Sequence, residues 1–226
     1  MKILYIGNRL SKHGLNQTSV ETLGSQLSDL CSVKIISNKK NKLYRILDIC
    51  KNLILFGKNF NYVLIDTYST SAFYFAYISA IICRVLKIPY IPILRGGNLE
   101  YRLLNYPSFS KAIFIYSYKN VSPSLFLQSI FEKYGIKSTF IPNNINIEKY
   151  QFYDRSHKLE PNLLWVRSLA KIYNPQMAIR VLIDLKDSFP NAKLCMVGPD
   201  KDGSMNYCKA LAMKLNLEKD IIFKGQ

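Results

Sequence analysis

The sequence has no C-x-x-C pair, no G-x-G-x-x-G and no G-K-[ST], and it is poor in acidic residues. Each of these closes a class. Its five cysteines (Cys31, Cys50, Cys83, Cys195 and Cys208) are odd in number and widely spaced, with only His13 and His157 to join them as ligands. Neither a disulfide framework nor a zinc site is expected, and a reducing cytoplasm is the natural compartment. The run Ile3–Ile6 stops at Gly7, which reads as a buried strand rather than the apolar core of a secretory signal. The longest apolar stretch, from Ala72 to Cys83, is a dozen residues interrupted by Ser79, against the roughly 20 that a membrane span needs. Disorder is excluded by a composition that is 49% apolar and 20% charged. The 15 acidic residues face 31 basic ones, a net charge of +16. Up to Tyr150 there are 19 basic and 7 acidic residues (+12), and after it 12 and 8 (+4). The excess is densest between Val33 and Phe60, where Lys34, Lys39, Lys40, Lys42, Arg45, Lys51 and Lys58 meet only Asp48. Such a field attracts phosphates, nucleic acid or an acidic membrane surface.

What is present is an alternation of strand and helix patterns. KILYIG reads as a first strand; Thr18 or Ser19 can cap a helix carrying Val20, Leu23, Leu27 and Leu30, and Val33–Ile36 reads as a second strand. Leu43, Ile46, Leu47, Cys50, Leu53 and Ile54 repeat as one helical face. Tyr62–Asp66 is a third strand, Ser71–Leu86 an apolar helix, and Tyr90–Leu94 a fourth strand, in which Pro92 argues against a central ladder position. Pro107–Tyr118 and Ser124–Tyr134 read as helices, Asn120–Ser122 and Thr139–Ile141 as extended. The alternation predicts a doubly wound α/β domain over residues 1–150. A polar, turn-rich connection follows Ile141; then strands at Leu163–Val166, Lys193–Gly198 and Ile221–Phe223 alternate with helices at Pro175–Phe189 and Ser204–Leu215. Residues 151–226 therefore read as a second, partial α/β domain.

Doubly wound folds bind ligands in the loops at the carboxyl ends of their strands. The first such loop, GNRLSKHGLNQTSVETLG, holds Gly14 and leads into a helix whose free N–H groups can meet an anion, although it reads equally as an ordinary connection. His13 reads as a solvent-facing loop histidine. In LRGGNLEYRL, Gly96 and Gly97 let backbone approach a ligand, and Arg95 can fork onto phosphate or carboxylate; a tight turn with a surface arginine is the plainer reading. In VRSLAKIYNP, Arg167 and Lys171 follow the first strand of the second domain, while Asn174 can cap the next helix with Pro175 in its first turn. Two cations four residues apart at a strand edge can grip a diphosphate, or can simply be solvated.

Taken in order, KHGLNQTSVETLG, LRGGNLEYRL, VSPS…YGI…IPNNIN, LLWVRSLAKIYNP, AKLCMVGPDKDGS and IIFKG resemble a glycosyltransferase of family 4 along the whole chain. The resemblance implies the two-domain GT-B architecture and retaining transfer of a hexose from a nucleotide sugar. The N-terminal domain would take the acceptor and the C-terminal domain the donor. Arg167 and Lys171 would hold the donor diphosphate, Gly14 would close over it, and Gly198 and Pro199 would lie on the nucleoside side. Gly96, Gly97 and Asn98 fall on the acceptor side. No metal or other cofactor is expected, because fixed cations supply the charge stabilisation. Surface-polysaccharide or lipopolysaccharide assembly is the implied setting.

The chain departs from the family pattern at several points. Gly14-Leu15 replaces the usual Gly-Gly, and Asn143-Asn144 the usual Asn-Gly. Arg95 stands where many members place a histidine near the reacting sugar, so it is the candidate catalytic residue and no catalytic histidine is assigned. The paired glutamates that contact the donor sugar in the family would lie beyond Gln226, so these residues are expected to be a fragment, inactive alone. The basic helix around Leu43–Phe56 can pack on its sheet or lie on the inner face of the cytoplasmic membrane, drawn to anionic lipid. Two other readings are a nucleic-acid-binding module drawn by charge and a non-catalytic remnant that keeps acceptor binding. The aromatics fall within apolar patterns rather than among basic clusters, so nucleic acid is not the expected partner.

Overall fold

A computed structural model describes residues 1–9, 11–13, 17–143, 145, 147–154 and 161–225. The chain separates into two compact units, Met1–Asn146 and Ile147–Gln226. In the first, the elements run β1 (Lys2–Ile6), α1 (Ser19–Ser28), β2 (Ser32–Ile36), α2 (Lys42–Phe56), β3 (Tyr62–Thr67), α3 (Phe73–Val85) and β4 (Tyr90–Leu94). Then come α4 (Leu99–Asn105), α5 (Pro107–Phe114), β5 (Val121–Ser122), α6 (Leu125–Lys133) and β6 (Thr139–Phe140).

The six strands form one parallel sheet in the order β2-β1-β3-β4-β5-β6. The step from β1 to β2 runs one way and the steps from β3 onward run the other, so right-handed crossovers put helices on opposite faces. Alternation along each strand separates the two cores. Ile3, Tyr5, Leu64 and Ile93 meet Val20, Leu23 and Leu27 on the α1 side. Leu4, Ile6, Val63 and Ile65 meet Ile49, Leu53, Phe73, Phe114 and Phe131 on the other. Fully burying a side chain such as Ile49 or Leu53 stabilises by about 1.5–3 kcal/mol. The order reverses between β1 and β3, and that reversal defines the crevice of the first unit.

Four local expectations are corrected. Pro92 sits inside β4, opposite Ile65 of β3, because pairing with β5 begins only at Ile93, where the ladder resumes beyond the missing N–H. The segment read as a loop after Arg95 contains α4, which ends at Asn105, because the proline after Tyr106 disfavours helical backbone there. In α2 the buried positions are Arg45, Ile49 and Leu53, while Leu43 (73% exposed), Leu47 (63%) and Ile54 (59%) face outward. Hydrophobic periodicity could not find this face, because an arginine heads it. Leu30 likewise falls past the end of α1 and is exposed.

The second unit holds β7 (Asn162–Val166), α7 (Gln176–Lys186), β8 (Lys193–Val197), α8 (Ser204–Lys214) and β9 (Ile221–Gly225), with parallel order β7-β8-β9. Both steps run in one direction, so both helices cover one face, where Ile179, Leu182, Cys208 and Ala212 meet Leu194, Met196 and Ile221. Leu164, Val166 and Ile222 remain exposed. Among the described residues no helix is long and apolar enough to cross a membrane.

Candidate functional site

In the first unit the strands deliver their carboxyl ends to a buried polar network. Asp66, the penultimate residue of β3, has a side chain with no exposed surface. The Tyr5 hydroxyl of β1 donates to its Oδ1 at 2.9 Å, and Arg95 Nε, just past β4, donates to the same oxygen at 3.0 Å. Arg95 Nη2 donates to the Tyr5 hydroxyl at 3.2 Å, and Nη1 to Asn143 Oδ1 at 2.6 Å. The Arg95 side chain is 7% exposed, and its guanidinium is spent on groups of its own unit. Asp66 Oδ2 finds no hydrogen-bond partner among the described residues. Burial raises the Asp66 pKa above the usual carboxylate range, and the Arg95 charge opposes that rise. Burial, and then the Asp66 charge, push the Tyr5 and Tyr68 hydroxyls up as well.

Around this network the backbone passes closely. A Cβ on Gly7 would stand 2.8 Å from the Val20 Cβ and 3.0 Å from Asp66 Oδ2, so the loop after β1 needs glycine there. Gly96 packs on Ser69, Gly97 faces open space, and Asn98 precedes α4 without a side-chain cap bond. Gly14 lies outside the described residues. A groove of 570 Å³ runs between α1 and the sheet over Leu64, Ile91, Ile93 and Val121, with Arg95 and Asn143 among its lining residues.

In the second unit the loops that follow β7 and β8 are laced together. Arg167 N donates to Val197 O at 3.0 Å, Leu169 N to Pro199 O at 2.9 Å, and Lys201 N to Leu169 O at 3.0 Å. Gly198 has φ +149°, and a Cβ there would overlap the Arg167 carbonyl. Gly198 and Pro199 therefore lie against the backbone that presents Arg167. The Arg167 guanidinium rests 4.3 Å from the centre of the Tyr173 ring. Lys171 opens a 3-10 turn, Lys171–Tyr173, and its N–H donates to Asp202 Oδ2 at 2.9 Å. Hydrogen bonds from Ser204 and from the Lys171 N–H hold the Asp202 carboxyl below its usual range. Arg167 and Lys171 are both exposed. The ion pairs among the described residues are Arg95–Asp66 and Lys186–Asp220, so neither cation is consumed by one.

The capping expectation at Asn174 is corrected. That residue is left-handed (φ 51°), makes no side-chain cap bond, and α7 begins two residues later, after Pro175. Asp66 and Tyr5 in the first unit and Asp202 and Tyr173 in the second were not singled out from sequence, and Asn143 was noted only for its place in the linker. The readable signals were an acid ending an apolar strand, in YVLID, and paired acids ahead of a helix, in PDKDGS. Among the described residues, no group of three or more His, Cys, Asp or Glu side chains is placed to hold a metal ion.

No family model matches the chain, and no curated protein does. Solved structures do. HepE from Anabaena, determined in complex with UDP and glucose, aligns with 100% of this chain and 69% of its own at 16% identity and a TM-score of 0.65. WaaG, a glycosyltransferase involved in lipopolysaccharide biosynthesis, aligns over 99% of this chain and 70% of its own at 16% identity and 0.60. WaaB, a lipopolysaccharide outer core galactosyltransferase, aligns over 100% and 68% at 14% identity and 0.58. At such identities the likeness speaks for architecture: this chain has the parallel, Rossmann-like α/β fold of GT-B glycosyltransferases.

Proposed function

We propose that this chain is the nucleotide-sugar-binding framework of a retaining family 4 hexosyltransferase that serves surface-polysaccharide or lipopolysaccharide assembly. The observation that carries the reading is the pair of exposed cations on the loop after β7, held in place by the end of β8 and, among the described residues, engaged in no ion pair. As the bond from the anomeric carbon to the diphosphate breaks, its electron pair leaves with the phosphate. Arg167 and Lys171 then face a leaving group whose negative charge is growing, and two fixed cations stabilise it without a metal. Gly14 would close over the same phosphates, and the backbone at Gly198 and Pro199 would border the nucleoside. The Gly96–Asn98 segment, at the carboxyl end of β4, would border the acceptor.

Arg95 has a different part in this reading. With its donors committed to Asp66, Tyr5 and Asn143, it positions the floor of the acceptor side rather than gripping phosphate itself. The outward Leu43, Leu47 and Ile54 of α2, bordered by Lys51 and Lys58, support a peripheral seat on an anionic membrane surface on the cytoplasmic side.

Binding of the nucleoside diphosphate is what tests the cation pair. Calorimetric titration of the protein with UDP and GDP should show saturable binding that Arg167→Gln and Lys171→Gln each weaken. Unchanged affinity in both variants would defeat the reading. Binding to oligonucleotides in a gel shift, with no response to any nucleoside diphosphate, would favour the nucleic-acid module.

A further inference from the structure

Part of the excess positive charge of the first unit lies on two loops that the fold ties to each other. The loop after β1 carries Arg9, Lys12 and His13, and the segment between β2 and α2 carries Lys39 and Lys40. Arg9 N donates to Ser37 O at 3.3 Å, and His13 Nε2 donates to Asn38 O at 2.8 Å. Arg45, in α2 and only 6% exposed, locks the pair from within. Its Nη1 donates to Asn8 Oδ1 at 2.7 Å, Nε to Lys39 O at 2.8 Å, and Nη2 to Lys40 O at 3.3 Å. A buried guanidinium bonded to three neutral oxygens keeps its full charge, and here no described carboxylate balances it. Of the acids around these loops, Glu21 is occupied by Ser11 and Thr18 in the capping box of α1, and Asp66, which lines a small cavity with Asn8 and Arg45, is held by Tyr5 and Arg95. Lys12, Lys39 and Lys40 stand exposed on the two loops.

Two hydrogen-bonded loop segments that concentrate like charges repel each other, and the repulsion is relieved by an anion in solution. The loops follow β1 and β2, beside the β1–β3 reversal where this sheet class binds ligands. The helices α1 and α2 start from them, which adds the positive ends of their dipoles. The transferase reading gives the donor diphosphate to Arg167, Lys171 and Gly14 and the rest of the first unit's loop surface to the acceptor, so the anion met at Lys12, Lys39 and Lys40 is assigned to the acceptor. We propose that the laced loops are an acceptor-anion site, and that the acceptor is a phosphorylated one whose phosphate ester contacts Lys12, Lys39 and Lys40. The assignment to an acceptor rests on the transferase reading; the anion site itself does not. The phosphate can come from a soluble glycan or from a lipid headgroup.

The test uses the whole 226-residue chain in roughly 0.1 M salt, where only charges within about 10 Å of each other still interact strongly. Tripolyphosphate is titrated calorimetrically into wild type, the triple variant K12Q/K39Q/K40Q, and the control K111Q/K133Q/K137Q, which removes equal charge elsewhere on the same unit. UDP is titrated into all three. The expected result is at least a tenfold weaker tripolyphosphate response in the loop variant, less than twofold in the control, and unchanged UDP affinity in both. Equal losses in the two triple variants would mean diffuse charge and would overturn the site. So would a matching loss of UDP affinity in the loop variant, which would give these lysines to the donor. Sedimentation with phosphatidylglycerol vesicles identifies the source: joint loss of vesicle and tripolyphosphate binding points to a headgroup phosphate, and loss of tripolyphosphate alone to a soluble glycan. Loss of vesicle binding alone would reduce the loops to a flat electrostatic surface and end the proposal. If UDP fails to bind anywhere while the tripolyphosphate difference persists, the donor reading fails and the anion site survives.

Discussion

Arg95 and Arg167 each follow the last residue or two of a parallel strand, each at the carboxyl edge of its own sheet, and their fates diverge. Arg95 is drawn inward by Asp66 at the end of β3 and the Tyr5 hydroxyl of β1, and its free edge is taken by Asn143. Arg167 is in no ion pair among the described residues: β8 ends in Val197, its loop is held by backbone bonds to Val197 and Pro199 and by Asp202 on the Lys171 N–H, and the guanidinium lies across Tyr173 in solvent. Such an exposed cation–π contact is worth about 0.5–1 kcal/mol, weak enough to surrender to a phosphate. A strand-edge arginine thus becomes a structural post or a ligand-facing group according to what its neighbouring strands supply, and the local sequence around it does not decide.

The contrast is sharpest in stability. Arg95→Gln leaves Asp66 buried without its counter-charge and should cost about 3–5 kcal/mol in urea unfolding of the first unit, whereas Arg167→Gln should stay within about 0.5 kcal/mol. Equal costs would break the comparison. In binding the order reverses. Losing one charge-assisted contact to phosphate is worth about 1.5–3 kcal/mol, so Arg167→Gln and Lys171→Gln should each raise the UDP Kd roughly ten- to hundredfold. Gly198→Ala, which forces a Cβ into the Arg167 carbonyl at positive φ, should cost about 1–3 kcal/mol in thermal unfolding of the second unit and displace the cation loop.

The smallest effects lie in the capping box. Thr18→Ala should lower the stability of α1 by about 0.5–2 kcal/mol. Desolvation raises the Glu21 pKa, but hydrogen bonds from Ser11 and Thr18 outweigh it and hold the carboxyl below its unfolded value. The Glu21 contribution is therefore complete above the unfolded pKa and is lost as pH falls through the folded one. Amide exchange in the first turn of α1 should speed up as the solution is acidified below about pH 4.3, and Glu21→Gln should flatten that dependence.

Much of the fold was legible. Compact apolar runs marked β1, β3 and β4, and the strand–helix alternation required a parallel sheet. The buried face of α2 was hidden because Arg45 heads it, satisfied by two backbone carbonyls and Asn8 that only the fold assembles. The short helix α4 was hidden because a glycine pair and a proline frame it and read as a loop. At the site, Arg167 and Lys171 were visible as cations at a strand edge. The commitment of Arg95 was not, since its partners lie 29, 48 and 90 residues away along the chain.

The measurement that bears most directly on the account is calorimetric binding of UDP to the protein, set beside Arg167→Gln and Lys171→Gln variants shown to unfold at the wild-type midpoint. Saturable wild-type binding that falls at least tenfold in each variant is the predicted result. UDP bound with wild-type affinity after both cations are gone, or not bound by the wild-type chain, would contradict it.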